Sequence, residues 1–454
     1  MIKVMLPARL RELISAHLRK QYFPERYPDP YDELIDYLSV PKIKALNSDA
    51  QKSDDRSMIS IASYLSRLLP VVQFPELFRD YKEAFGQRLG DTGAGPDTVF
   101  YFLRSLDPAS SVDLWSAFHR WCDDSQSVQE SWLKAIFGLE TQIGADAMIL
   151  RHFHPGSEEW LKSIGGRLQN TNGLFAWHSK NLAPGDSLQE FIQSLRWPYW
   201  DSIADWNDFR ALAKSMVENG PPHASPKIRR RDVGEAVMFT APISPPARVV
   251  LACGKAAGVV DAIRFAIEFG TGCFYTGMNP DLEAEFRISG DPALPYFWGF
   301  LFAHALSLPA GLIRMIGPTA EKLAEPLGFL LHFWYRYDSM LAEYHNRLHI
   351  ASFKEAEERY SECFQRAFPI SVPAFLCLYD LGRADRSFYR ATAWEAAAGA
   401  AERFKIAYGS HWFSSTRFKR KVQDYWREGF NWSVVEMLAD LGAEPNTQIP
   451  FLPL

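Results

Sequence analysis

The chain has 454 residues, of which 47% are hydrophobic and 14% aromatic, so it can bury a large core and is too apolar for intrinsic disorder. Its 49 Lys and Arg residues are outnumbered by 54 Asp and Glu residues, and the net charge of -5 lacks the basic excess that neutralises nucleic-acid phosphates. We therefore expect a folded protein that does not bind nucleic acid.

The amino terminus and the cysteines indicate where the protein is located. The first 20 residues contain only a short apolar run before Pro7 and Arg9, and no later stretch reaches the roughly 20 apolar residues that span a membrane. The five cysteines are far apart and form no CxxC pair, which is typical of free thiols in a reducing compartment. These features predict a cytoplasmic protein with no membrane contact and no cysteine-ligated metal.

Apolar residues recur at helical spacing through the first half of the chain, from Leu10 to about Val217, as in "MISIASYLSRLL" and "DFRALAKSMV". The pattern ends at "ENGPPHASPKIRRRD", where one glycine and three prolines cannot continue a helix. We place the domain boundary there, with a helical, lid-like lobe over residues 1–220 and a second lobe over 221–454. The basic residues of this segment are interpreted as part of a solvated linker: Lys227, Arg229, Arg230 and Arg231.

The second half begins with a short β segment and is otherwise helical. Two runs, Ala236 to Thr240 and Arg248 to Ala252, are separated by a proline-containing turn and predict a β-hairpin. Long apolar periodicities then predict helices over Val259 to Glu268, Tyr296 to Ser307, Pro326 to His349, Phe353 to Phe368, Phe388 to Tyr408 and Ser415 to Gly429. We expect a mainly α, two-lobed protein with a small hairpin.

One carboxylate stands out in an apolar stretch. Glu268 lies in "FAIEFGTGCF", which contains no basic residue that could pair with it. An isolated charge is costly to bury, so such a residue normally has a partner, a raised pKa or a function. Glu268 is therefore a candidate functional residue.

The order of elements from Gly234 onward resembles the catalytic half of the zinc metallopeptidases of the thimet oligopeptidase and oligoendopeptidase kind, which belong to the gluzincins. In that family a hairpin edge is followed by a helix bearing HExGH and then by a helix bearing a glutamate ligand. The corresponding segments are "VVDAIRFAIEFGTGCFYTG" and "GDPALPYFWGFLFAHALSLPAGLIRMIG". The resemblance implies a two-lobed, mainly α fold with the hairpin at the central cleft.

The resemblance also implies that the zinc centre is degenerate. Histidines four residues apart on a helix reach one zinc ion, and the glutamate between them polarises the metal-bound water. Here Ile267 and Thr271 stand at the two histidine positions, Glu268 stands at the general base, and Ala303 stands at the third ligand. The adjacent His304 points about 100° away around its helix. We expect no zinc and no other cofactor.

Four further residues complete the predicted site. The resemblance places Tyr389 on a late helix where the family supplies a donor to the developing oxyanion. It also places Phe239, Tyr275 and His304 around the former pocket. We expect the pKa of Glu268 to be raised unless a donor such as Tyr389 or a neighbouring arginine reaches it.

Three functional hypotheses remain open. The first is a pseudopeptidase that binds a peptide or a protein partner, possibly an active homologue, along the strand edge in the groove between the lobes. The second is a metal-free enzyme that uses Glu268 as acid or base and Tyr389 as donor. The third is a shifted alignment with a metal site built from His304, His345 and His349.

Overall fold

A computed structural model of the chain describes residues 10, 12–14, 16, 17, 19, 30–53, 55–89, 94–96, 99, 100, 108–144, 152–182, 185–195, 197–217, 226–230, 238–253, 258–347, 355–382 and 386–446. Its first half is helical, as predicted. The helices there are α1 (Tyr31–Leu34), α2 (Val40–Ser53), α3 (Arg56–Gln73), α4 (Pro75–Gly86), α5 (Pro108–Ile143), α6 (Ser157–Asn170), α7 (Asn172–Leu182), α8 (Leu188–Ser194), α9 (Pro198–Asp201) and α10 (Trp206–Ser215).

The predicted hairpin is present and belongs to a three-stranded sheet. The strands are β1 (Lys227–Arg230), β2 (Met238–Ser244) and β3 (Arg248–Cys253), in the order β1-β3-β2. Strands β2 and β3 pair in antiparallel orientation, which confirms the hairpin.

The prediction of a solvated linker for the basic run is wrong for residues 227–230. These residues form β1 and pair in parallel with Val250 to Cys253 on β3. A strand that pairs in parallel is positioned by the tertiary fold, and a basic sequence such as this one gives little local indication of β structure. Arg231 and residues 218–225 lie outside the described residues.

The second half of the chain is also helical, so the mainly α fold with a small sheet is confirmed. Its helices are α11 (Gly258–Gly277), α12 (Ala284–Ile288), α13 (Ala293–Leu306), α14 (Pro309–Met315), α15 (Ala324–Arg347), α16 (Ala356–Ala367), α17 (Leu376–Leu381), α18 (Ser387–Tyr408), α19 (Thr416–Arg427) and α20 (Val434–Leu441). Short 3-10 turns lie at Pro318–Leu323, Trp412–Ser414 and Gly429–Asn431. No helix among the described residues is long and apolar enough to cross a membrane.

Helix α11 continues well past the predicted end at Glu268. Two glycines of the "GTG" run lie inside it because neighbouring elements approach closely. A Cβ atom on Gly270 would lie 2.6 Å from the carbonyl oxygen of Trp298, and one on Gly272 would lie 2.7 Å from Cγ of Pro226. These glycines therefore permit close packing and do not end the helix.

The elements of the second half pack in layers around α11. Helix α11 packs against β2, β3 and α13, and α18 packs against both α13 and α15. The main hydrophobic core includes residues from both sides of position 220, such as Phe209 and Phe265, whereas a second cluster lies among the first helices and includes Ile61 and Leu139. The described core is thus continuous across the predicted boundary at residue 220, and that division stays a prediction.

Candidate functional site

Glu268 attaches helix α11 to strand β2. The backbone N–H of Thr240 donates to Oε2 of Glu268 at 2.7 Å, and the Thr240 hydroxyl donates to the backbone carbonyl oxygen of Glu268 at 2.6 Å. Glu268 is partly exposed as a residue, but its carboxylate is desolvated, because burial is the largest influence on its pKa. One residue of β2 therefore contacts both the side chain and the backbone of Glu268.

Two arginines compensate for the burial of this carboxylate. Partial burial raises the pKa of Glu268, and the hydrogen bonds from Thr240 and the charges of Arg390 and Arg264 act in the opposite direction. Arg264 lies one turn earlier on α11, immediately before the stretch without basic residues, and Arg390 comes from α18. The expected rise in pKa agrees with the structure, and it is opposed first by the Thr240 hydrogen bonds and then by the two arginines.

Arg390 is held in place by α15 and α13. Its Nε lies 3.0 Å from both carboxylate oxygens of Asp338, and its guanidinium lies over the rings of Tyr296 and Phe300 at 5.3 and 5.6 Å. Burial lowers the pKa of Arg390, but the opposing effect of the Asp338 carboxylate and its other neighbours is larger. The net pKa is therefore above the ordinary value, and the guanidinium stays charged. A quarter of the Arg390 side chain is exposed.

We name these residues the Glu268 cluster: Thr240, Glu268, Tyr296, Asp338 and Arg390. Each comes from a different element, namely β2, α11, α13, α15 and α18. Chemically, the cluster combines a carboxylate with a raised pKa, a guanidinium that is held by Asp338 and whose charge acts on that carboxylate, and a tyrosine whose ring contacts the guanidinium. It can exchange a proton, or it can form hydrogen bonds and ion pairs with a polar ligand.

The three positions predicted to correspond to zinc ligands lie on α11 and α13, where these helices cross. A Cβ atom on Gly299 would lie 2.5 Å from the carbonyl oxygen of Ile267 and 2.8 Å from Oγ1 of Thr271. Ala303 follows Gly299 by one turn of α13 and is fully buried. The structure thus brings positions 267 and 271 against the same helix that carries position 303.

The side chains at these positions do not fit a zinc ion. Zinc is held in proteins by thiolate, imidazole or carboxylate groups, and Ile267 and Ala303 carry no such donor. The Thr271 hydroxyl donates to the backbone carbonyl of Pro295 at 3.0 Å. Within the described ranges, no three His, Cys, Asp or Glu side chains are grouped so that they could hold a metal ion.

The histidines of the third hypothesis are not assembled by the described structure. His304 is 1% exposed, and burial lowers its pKa to about 4. Its ring packs on Trp394, which stacks on Tyr335. Tyr335 precedes His345 by ten residues, or about 15 Å of helix. His345 contacts Phe137, and His349 lies outside the described residues.

The predicted pocket residues occupy different environments. His304 is a buried core residue, and its assignment to a pocket stays a prediction. Phe239 packs with Ala241 and Ile243 on one face of β2, and alternation of side chains places it opposite Thr240. Tyr275 is partly exposed and follows Glu268 by about two helical turns, so it lies on a similar side of α11.

Tyr389 lies on α18, and its role as a donor stays a prediction. Its ring packs near His154 and Phe388, and it is 9% exposed. The next residue, Arg390, is one of two arginines whose charge lowers the pKa of Glu268. Sequence reasoning missed Thr240, Arg390, Asp338 and Tyr296 as site residues. The available signal was that Asp338 and Arg390 are charged residues within otherwise apolar helical segments.

Comparisons with known proteins identify the fold. No protein-family model matches the sequence, and no curated protein is similar to it at a significant level. Among solved structures, a protein assigned as an oligoendopeptidase F aligns with a TM-score of 0.64 at 9% identity, covering 97% of this chain and 81% of the other.

Two further solved structures agree. A protein from Bacillus anthracis, also assigned as an oligoendopeptidase F, aligns with a TM-score of 0.62 at 8% identity over 97% of this chain and 80% of its own. PZ peptidase A, solved with an inhibitor, aligns with a TM-score of 0.62 at 9% identity over 97% and 82%. The chain therefore has an oligopeptidase-like fold. At these identities the likeness establishes the fold alone.

Proposed function

We propose that this protein is a pseudopeptidase: it binds a peptide or protein segment in the groove over α11 and does not hydrolyse it with zinc. The observation that carries the proposal is the chemistry of positions 267, 271 and 303. An isoleucine, a threonine bonded to a backbone carbonyl and a buried alanine offer no ligand set for zinc. The oligopeptidase-like fold supports a groove of peptide-binding shape.

A peptide-binding role needs only groups that this chain retains. A strand edge pairs with an extended peptide through backbone hydrogen bonds, and side chains beside the edge provide specificity. Strand β2 offers the edge, and the partly exposed Tyr296 and Arg390 offer aromatic and cationic contacts. An active homologue is one protein partner that this proposal includes.

Binding and cleavage are tested together with defined probes. Fluorescein-labelled decapeptides of alternating threonine with lysine, and of threonine with glutamate, are titrated against the protein with and without added zinc. We expect saturable anisotropy changes for at least one probe and intact peptide by mass spectrometry in both conditions. Tyr296→Ala should weaken binding, whereas Tyr199→Ala, at a tyrosine that is 59% exposed on α9, should not. Cleavage that depends on zinc would overturn the proposal.

The placement of the motif has its own test. The triple variant Ile267→His, Thr271→His and Ala303→Glu restores a set of zinc-ligand side chains on α11 and α13. Calorimetric titration should show uptake of about one zinc ion per chain by the folded variant. Failure of a correctly folded triple variant to bind zinc would count against the assignment of these three positions.

A metal-free enzyme is the second candidate, and the raised pKa of Glu268 beside Arg390 favours it. An acid or base needs a carboxylate that can exchange a proton, so Glu268→Gln should abolish any chemical change in a bound peptide while preserving its binding. A product mass that appears with wild type and disappears with Glu268→Gln would select this candidate over the pseudopeptidase.

A further inference from the structure

The edge of β2 that faces α11 is identified by two residues. Strand β2 is a margin of the sheet among the described strands, because the order is β1-β3-β2. Pro242 has no N–H and is tolerated in sheets where the backbone points away from a neighbouring strand. Backbone groups of alternate residues point to the same side of an antiparallel strand, so Thr240 and Pro242 share the outer side.

The outer N–H of Thr240 already has an acceptor within the chain. It donates to Oε2 of Glu268 at 2.7 Å, in a hydrogen bond strengthened by the ionised acceptor. When an extended chain adds to a strand edge, that N–H donates to a carbonyl oxygen of the added chain. The Glu268 carboxylate therefore stands where a carbonyl oxygen of a bound peptide would be needed.

We propose that Glu268 closes the outer edge of β2, and that an extended peptide pairs there only when its own carbonyl oxygen replaces the Glu268 carboxylate as the acceptor from Thr240. This inference rests on the proposed peptide-binding function and adds an internal competitor to it. It assigns Glu268 a positioning role rather than a catalytic one.

The surroundings of Glu268 allow such an exchange. Glu268 is partly exposed as a residue, and the charges of Arg390 and Arg264 already favour the ionised form of its carboxylate. The bond from the Thr240 hydroxyl to the Glu268 backbone does not involve the carboxylate, so it continues to hold α11 against β2. Only one side chain has to move.

The closed edge is tested first without any ligand. Hydrogen exchange of the Thr240 amide is compared in wild type, Glu268→Ala, Glu268→Gln and the control Glu402→Ala, which removes an exposed carboxylate from α18. Glu268→Ala should speed exchange about tenfold, the effect of losing one charge-assisted hydrogen bond. Glu268→Gln keeps an acceptor oxygen and should protect the amide nearly as well as wild type does. Equal exchange in all four proteins would overturn the inference.

Binding of the same two decapeptides then tests the competition. Glu268→Ala should bind at least one probe about tenfold more tightly than wild type, while Glu268→Gln and Glu402→Ala should stay within about twofold of it. If wild type binds a probe and Glu268→Ala binds it with equal or lower affinity, the proposal of a closed edge is overturned, but the peptide-binding function stands. No binding by any folded variant would overturn both.

Discussion

Two carboxylates in the second half of the chain show how differently the same chemical group can be used. Glu395 on α18 is 1% exposed and accepts hydrogen bonds from Trp160 at 2.9 Å, Arg167 at 2.8 Å and Tyr335 at 2.7 Å. The hydrogen bonds to the Glu268 carboxylate come from one residue, Thr240, and Glu268 is partly exposed as a residue.

The difference separates a carboxylate held by donors from two other helices from a carboxylate held by a single residue. A buried charge is tolerated when donors satisfy its oxygens, and removing it leaves those donors unpaired in the core. Glu395 joins helices α6, α15 and α18 in this way. A carboxylate whose donors come from one residue can change partners at lower cost, as we propose for Glu268.

The largest expected effect is the loss of stability on substitution of Glu395. Glu395→Ala should lower the free energy of unfolding by about 3–5 kcal/mol, because Arg167, Trp160 and Tyr335 lose their shared acceptor. Glu268→Ala should cost about 1 kcal/mol, and the exposed Glu402→Ala close to nothing. Urea unfolding monitored by circular dichroism measures all three. Equal losses for Glu395→Ala and Glu268→Ala would remove the distinction between the two sites.

Two arginines, the buried Arg336 and the partly exposed Arg390, allow a similar comparison with smaller expected effects. Arg336 is fully buried and donates to the backbone carbonyls of Ala367 and Leu168, at the ends of α16 and α6. Arg336→Met should cost about 3 kcal/mol because these carbonyls lose their donor. Arg390→Met should cost about 1–2 kcal/mol, since a quarter of the Arg390 side chain is exposed and its charge is already partly solvated. Denaturant midpoints in the reverse order would contradict this assignment.

The smallest effect is a pH dependence at Glu268. Because burial raises its pKa in the folded state, and Arg264 and Arg390 only partly offset this, ionisation of Glu268 costs stability as the pH rises through the folded pKa. Glu268→Gln should therefore melt at the same temperature as wild type, or slightly higher, at neutral pH, and the gap should close in acid. Melting curves between about pH 4 and pH 7 check the sign. If Glu268→Gln is less stable than wild type near neutral pH but equally stable in acid, the ionised carboxylate stabilises the fold, which would contradict this prediction.

The helices and the hairpin could be predicted from the sequence because each depends on a local pattern of residues. Helical periodicity located α11, α13, α15 and α18, and the valine-rich runs located the β2-β3 hairpin, because these signals lie within one segment. The helical layout also led to the oligopeptidase-like fold. Position 268 could be singled out because a charge in an apolar helix is unusual.

The partners of Glu268 could not be predicted, for a physical reason. Thr240 lies 28 residues before Glu268, and Arg390 lies on a helix that reaches α11 only through tertiary packing. Strand β1 was missed for the same reason, since its neighbour β3 is 23 residues further along the chain. Tyr389 was predicted from the resemblance, which places a donor on a late helix, whereas the effect of the next residue, Arg390, depends on the tertiary structure.

The central claim is that positions 267, 271 and 303 do not hold zinc, and the zinc content of the wild-type protein tests it most directly. The protein is purified without chelators, equilibrated with excess zinc, passed through a desalting column and measured by elemental mass spectrometry. We predict zinc far below one ion per chain, with no change in melting temperature on adding the metal. Close to one tightly bound zinc per chain, lost on substitution of residues in this region, would contradict the claim.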